Sequence, residues 1–188
     1  MNVLELPPLW RSRALVLSGV EFQKSWYTAE ELSIAGSFHL QKRREEWLGS
    51  RYAAKRLAMD RGLCSDPSQF DVAASVLHRS ISHSAPYAAA AIDDRPIGID
   101  VQVIRSISEN AAHLFLTDEE TEAMQSVDLP DRMLHFWCAK EAAWKQGGGA
   151  AGTLKRVPIL LEEVRDRGLR FDTVETIRID DVVVALTR

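Results

Sequence analysis

Apolar residues recur along this chain in two rhythms, short alternating runs that suit strands and longer three-to-four spacings that suit helices. Residues 13–20, Arg-Ala-Leu-Val-Leu-Ser-Gly-Val, form an apolar run closed by Gly19 and predict an early strand. Thr28 with Glu31 three places on is a capping-box pattern, which predicts a short helix ending near Gly36. Between residues 40 and 58, Leu40, Trp47, Leu48, Tyr52, Leu57 and the interleaved alanines suit a long helix with Gly62 as its stop. Residues 63–71 are loop-like, and three short strands are expected after them, at 74–77, 87–92 and 97–104. Asp93-Asp94-Arg95-Pro96 suits a hairpin-type connection between the last two, so these strands should pair antiparallel.

Farther along, residues 108–114 suit a helix, and Thr117 with Glu120 opens a second capping box. Pro130 then starts a helix that runs to Gln146 and stops at Gly147-Gly148-Gly149. Apolar runs at 157–161, 169–174 and 182–186 predict strands of a second sheet. The halves share a style, a long helix with several short strands, and no sequence repeat is evident. The expected fold class is α+β, two similar α/β lobes packed together, with lobes at 1–103 and 104–188 and the strand at 97–104 near the join.

Composition agrees with this picture. The 188 residues suffice for one large domain or two small lobes, and 46% hydrophobic content supplies a real core. No apolar run approaches the ~20 residues of a membrane helix, and Met1-Asn2-Val3-Leu4-Glu5 lacks the features of a signal peptide. A cytoplasmic protein without membrane attachment is expected. Cys64 and Cys138 give neither zinc-ligand spacing nor a disulfide framework. A net charge of −4 argues against general nucleic-acid binding. Lys42, Arg43, Arg44, Arg51, Lys55 and Arg56 are nevertheless clustered. The simplest reading is a solvated helix face partly balanced by Glu45 and Glu46; the alternative is a site for a small polyanion or an acidic protein.

Candidate chemistry centres on Asp100, set between Ile99 and Val101 in an apolar strand where an unpaired carboxylate is costly. Strand alternation sends Asp100 and Gln102 to one face, so both oxygens can address one ion. On the later helix Glu141 and Lys145 are four apart and share a face, either as an ordinary surface pair or as part of a phosphate site. Two carboxylates suit Mg²⁺, which retains waters and takes phosphate oxygens. Ser80-Ile81-Ser82-His83-Ser84 gathers hydroxyls and one imidazole in what looks like a polar turn able to bind phosphate. Nothing near it completes a nucleophilic triad. Glu120 is a candidate general base, although its place in the capping box is a sufficient structural reason for it.

Taken in order, Ile81-Ser82-His83-Ser84, Pro96-Ile97-Gly98-Ile99-Asp100, Phe115-Leu116-Thr117-Asp118-Glu119-Glu120 and Phe136-Trp137-Cys138-Ala139-Lys140-Glu141-Ala142-Ala143-Trp144-Lys145 resemble the motifs of 4′-phosphopantetheinyl transferases of the surfactin-synthetase-activating type. Glu46-Trp47-Leu48-Gly49-Ser50-Arg51-Tyr52-Ala53-Ala54-Lys55 resembles the helix that precedes them, so the likeness spans roughly residues 42–149. The resemblance implies a pseudo-twofold α+β fold of two lobes, with coenzyme A and Mg²⁺ in the cleft between them. It implies a monomer that transfers phosphopantetheine from coenzyme A to a serine of an acyl or peptidyl carrier protein, releasing adenosine 3′,5′-bisphosphate. By position it assigns Asp100, Gln102 and Glu141 to the metal and Glu120, Glu141 and Lys145 to catalysis. Arg44, Arg51, Ser82, His83, Asp100, Glu141 and Lys145 are assigned to the coenzyme, with Lys140 adding positive potential.

Three positions depart from the pattern. Gln102 stands where a third acid is usual, so it offers an oxygen without charge. Residues 71–79 lack a Gly-Lys-Pro segment, for which Arg79 is a partial substitute. The neutral run 32–38 replaces expected basic residues, leaving Lys42, Arg43 or Arg44 to reach the 3′-phosphate. These departures keep open a non-catalytic member that only binds coenzyme A or a carrier protein. A metal-dependent phosphohydrolase of unrelated fold would rest on the carboxylates alone.

Overall fold

The computed structural model describes residues 1–188, with side chains at all positions but Glu109. It divides into two compact units, Met1–Arg95 and Pro96–Arg188. The division falls before the strand that the sequence reading placed at the end of a 1–103 lobe.

In Met1–Arg95, β1 (Asn2–Val3), β2 (Ala14–Ser18), β4 (Tyr87–Asp93) and β3 (His78–Ser84) form an antiparallel sheet in the order β1-β2-β4-β3. The unit also holds the short helices α1 (Pro8–Arg11) and α4 (Phe70–Ala73), the helix α2 (Ala29–Ser37) and the long α3 (Gln41–Asp60). Thr28 caps α2: its hydroxyl accepts from the Glu31 N–H while the Glu31 carboxylate accepts from the Thr28 N–H, which satisfies two end donors at once. Leu48, Tyr52, Ala53 and Leu57 of α3 pack against Leu15 and Leu17 of β2 and Ala88, Ala90 and Ile92 of β4. The alanines of β4 let the helix come close, and a Cβ on Gly49 would sit 3.5 Å from the Ala88 methyl.

In Pro96–Arg188, β5 (Ile99–Val103), β9 (Val182–Thr187), β8 (Val174–Ile179), β7 (Gly168–Phe171) and β6 (Leu161–Arg165) form an antiparallel sheet in the order β5-β9-β8-β7-β6. The helices α5 (Asp118–Gln125) and α6 (Arg132–Gln146) complete the unit. Leu134, Phe136, Ala139 and Ala142 of α6 share a buried core with Leu169, Phe171, Val183 and Ala185. Phe136 and Phe171 meet edge to face at 5.0 Å. Thr117 caps α5 with Glu120 in the same reciprocal arrangement as Thr28 and Glu31.

The α+β class and the principal helices follow the sequence pattern, and five local expectations are corrected. Residues 74–77 are not a strand. They follow α4, where Phe70 and Ala74 point inward one helical turn apart while Val72 and Val76 are exposed. The supposed turn at Ser80–Ser84 is part of β3, because Ser80 and Ser82 alternate inward and pair with Ala91 and Ala89. Residues 93–96 are not a hairpin: β4 already has β2 and β3 on its two sides, and β5 pairs instead with β9. In the tail, β6 begins at Leu161, so most of the 157–161 run precedes it, and the 169–174 run is broken between β7 and β8.

Candidate active site

The register of β5 against β9 sets Asp100 opposite Ala185 and Gln102 opposite Val183, the two β9 residues that pack under α6. Alternation therefore turns both side chains toward that helix, as expected from the sequence. Gly98 makes the approach possible. A Cβ there would fall 1.9 Å from the Ala142 carbonyl oxygen and 2.9 Å from the Gln146 nitrogen, so any side chain would drive the entrance of β5 away from α6. Thr187 fixes the other side, its hydroxyl accepting from the Gly98 N–H at 2.9 Å.

Asp100 is 1% exposed, and its carboxylate accepts a hydrogen bond from Lys145 Nζ at 2.8 Å. The same ammonium donates to the Ile99 carbonyl at 3.1 Å, and the Gln102 amide donates to the other Asp100 oxygen at 3.4 Å. Glu141 lies one turn before Lys145 on α6. Burial, and then the charge of Asp100, push the Glu141 carboxyl above its ordinary value, with Lys145 opposing them. Cys138, wholly buried on the same helix, has its thiol pushed up by burial first and the Asp100 charge second. Four of the residues read from the sequence, Asp100, Gln102, Glu141 and Lys145, are thus brought together.

The electrostatics of this cluster favour a cation, since two carboxylates share one lysine and Glu141 resists ionisation beside Asp100. Among the described residues no group of three or more His, Cys, Asp or Glu side chains is placed to hold a metal ion. The chain offers two carboxylates and one amide oxygen. This all-oxygen donor set fits Mg²⁺, which would draw its remaining ligands from water and a bound phosphate.

Glu120 has a different setting. It is 7% exposed; one oxygen accepts from Lys140 Nζ at 2.6 Å and the Thr117 N–H at 2.8 Å, and the other from the Ile159 N–H at 3.2 Å. Lys140 is fully buried and also donates to the Val157 carbonyl at 2.6 Å. Desolvation lowers its pKa against the pull of Glu120. Glu120, a candidate base, and Lys140, a candidate source of positive potential, are thus each hydrogen-bonded to internal partners.

In the first unit, Ser82 and His83 occupy successive positions of β3 and so face opposite sides of the sheet. His83 Nε2 accepts from Arg43 at 3.1 Å, which leaves its proton on Nδ1, 3.8 Å from Glu46. A cavity of about 290 Å³ lies beside this group, lined by Lys42, Glu46, Gly49, His83, Pro86 and Tyr87. Arg44 lines a separate hollow of about 380 Å³ with Phe22, Phe38 and His39. Arg51 is taken up by Glu31 and Asp71, at 2.8 and 2.9 Å, and stacks on Trp47 and Phe70. Arg79 also binds Asp71. Arg43 is therefore the basic residue at His83, whereas Arg51 serves the packing of α2, α3 and α4.

Sequence reasoning missed the buried Lys55, whose ammonium meets Glu31 at 2.5 Å. A usable signal existed: in both halves a lysine follows the capping-box glutamate in the next long helix, among apolar residues. It also missed Trp144, whose indole N–H is buried without an acceptor among the described residues.

Residues 96–182 match the family model of the 4′-phosphopantetheinyl transferase superfamily, which bears out the resemblance drawn from the motifs over that stretch. Among curated relatives, the chain is 35% identical over 74 residues to the 4′-phosphopantetheinyl transferase Sfp of Bacillus subtilis strain 168, covering 38% of this chain and 33% of that protein. It is 32% identical over 75 residues to a 4′-phosphopantetheinyl transferase of Bacillus subtilis, covering 38% and 34%. The likeness to the 4′-phosphopantetheinyl transferase psf-1 of Bacillus pumilus is 32% over 74 residues, covering 38% and 32%. The chain thus spans about a third of the length of these relatives. No helix among the described residues is long and apolar enough to cross a membrane.

Proposed function

We propose that this protein transfers the phosphopantetheine group of coenzyme A to a serine of an acyl or peptidyl carrier protein. The observation that carries the proposal is the buried Asp100–Lys145 pair facing Glu141, within the stretch that matches the superfamily. Asp100, Gln102 and Glu141 would hold Mg²⁺, which when bound supplies positive charge to the pyrophosphate and its leaving group. Lys145 contributes a second cation on the same helix face and orients Asp100 through its hydrogen bond. In the reaction the serine oxygen bonds to the phosphorus that carries the pantetheine arm, and the bond to adenosine 3′,5′-bisphosphate breaks. The serine proton passes to a carboxylate. Glu141 suits that role better than Glu120, because both oxygens of Glu120 are engaged by Lys140 and by the Thr117 and Ile159 N–H groups. Arg43 and His83 are the proposed contacts of the coenzyme's phosphate in the first lobe.

Incubating the protein with Mg²⁺, coenzyme A and a panel of apo carrier proteins tests this reading. At least one carrier is expected to gain the mass of one phosphopantetheine; folded protein that modifies none counts against it. Gln102 favours a second reading, in which the protein binds coenzyme A without turnover, since a neutral oxygen holds a cation less firmly. Calorimetric binding with no carrier modification would support that alternative.

A further inference from the structure

Glu141 is flanked on α6 by two side chains. At about 100° of helix azimuth per residue, Lys145 lies about 40° to one side and Trp144 about 60° to the other. Lys145 has its partners, Asp100 and the Ile99 carbonyl. The Trp144 indole N–H is buried with no acceptor among the described residues, an arrangement native structures rarely leave without a purpose.

The turn that follows α6 covers the indole without satisfying it. Gly149, at φ 75°, passes over the ring edge that carries the nitrogen: a Cβ there would stand 3.1 Å from Cζ2 and 3.5 Å from Cε2, the carbon bonded to Nε1. Gly148 and Gly152 also have positive φ, at 65° and 72°, so the cover is bare backbone that an added side chain would strain. The N–H groups of Gly147, Gly148 and Gly149 are spent on the carbonyls of Ala143, Lys145 and Trp144.

An indole N–H donates one hydrogen bond and carries no charge, and its flat ring suits an uncharged chain. We infer that Trp144 donates to an amide carbonyl of the phosphopantetheine arm of coenzyme A, which enters past the turn at 147–152. This rests on the proposed function. Pyrophosphate belongs on the flank with Lys145 and the metal ligands, which leaves the Trp144 flank for the neutral arm.

Calorimetric titration of the wild type and Trp144→Phe with coenzyme A and with adenosine 3′,5′-bisphosphate, which lacks the arm, tests the inference. Phenylalanine keeps the ring and removes the donor. The variant should bind coenzyme A about three- to tenfold more weakly, bind the bisphosphate unchanged, and unfold at no lower temperature. The indole cross-peak that vanishes in Trp144→Phe should shift when coenzyme A is added to the ¹⁵N-labelled wild type. Unchanged coenzyme A affinity, equal losses for both ligands, or an unmoved cross-peak in protein that binds coenzyme A would overturn the inference while leaving the proposed function standing. A wild type that binds neither ligand would remove both.

Discussion

The two halves of the molecule build the same clasp from different surroundings. In Met1–Arg95 the capping-box Glu31 of α2 binds the buried Lys55 of α3, and in Pro96–Arg188 the capping-box Glu120 of α5 binds the buried Lys140 of α6. The halves differ in what completes the charge. Each lysine also donates to a backbone carbonyl, Lys55 to Trp26 and Lys140 to Val157, but Glu31 takes Arg51, which continues to Asp71 and Arg79, whereas Glu120 takes the Ile159 N–H. One clasp opens into a chain of ion pairs near the surface, and the other is closed by backbone. Because Glu31 does in one half what Glu120 does in the other, tying a short helix to a long one, the shared glutamate is explained by architecture. What has no counterpart in that pairing is the buried Asp100 with Lys145 and Glu141, and the proposed chemistry is placed there.

The largest expected effect separates clasp from centre. Asp100→Asn keeps the shape and removes the charge, so transfer to a carrier protein should fall by about two to three orders of magnitude while circular dichroism and the unfolding midpoint stay near wild type. Full activity in that variant would remove Asp100 from the centre. Next comes the inequality between the clasps. Lys140→Met leaves Glu120 buried without a cation and should cost about 3–5 kcal/mol in denaturant unfolding. Lys55→Met leaves Glu31 with Arg51 and should cost about 1–3 kcal/mol. Equal losses would show that Arg51 does not compensate.

A smaller effect concerns acid. Burial disfavours ionised Glu31, but hydrogen bonds from Lys55, the Thr28 N–H and Arg51 outweigh it and hold the carboxyl below its ordinary 4.5. A depressed folded pKa contributes stability that is full above the unfolded value and is lost as pH falls through the folded one. Acid titration of unfolding should therefore show a loss of stability beginning below about pH 4.5, and Glu31→Gln should flatten it. An unchanged acid limb in that variant would assign the loss to other carboxylates.

Both clasps were half legible in the sequence. The capping boxes announced α2 and α5 because their hydrogen bonds are local, three residues apart. The lysine partners were missed, since Lys55 lies 24 residues from Glu31 and Lys140 lies 20 from Glu120, and the signal that remained was a lysine set among apolar residues of the next long helix in each half. Asp100 could be read because a lone carboxylate in an apolar strand conflicts with its neighbours, and Gln102 followed from strand alternation. β3 was obscured because Ser80, Ser82 and Ser84 have turn-like composition, while burial of Ser80 and Ser82 depends on a sheet the sequence does not display. Similarly, β5 looked like the partner of β4 because adjacent strands often pair. Its partner β9 lies at the other end of the second unit, and no local signal specifies a pairing over that separation.

The most direct measurement of the central claim is the phosphopantetheine mass gain of a carrier protein with Glu120→Gln and Glu141→Gln assayed side by side, each first shown to be folded. Glu120→Gln should lose stability yet keep transfer within a few-fold of wild type, and Glu141→Gln should lose transfer. The reverse, transfer abolished in folded Glu120→Gln and retained in Glu141→Gln, would contradict the account.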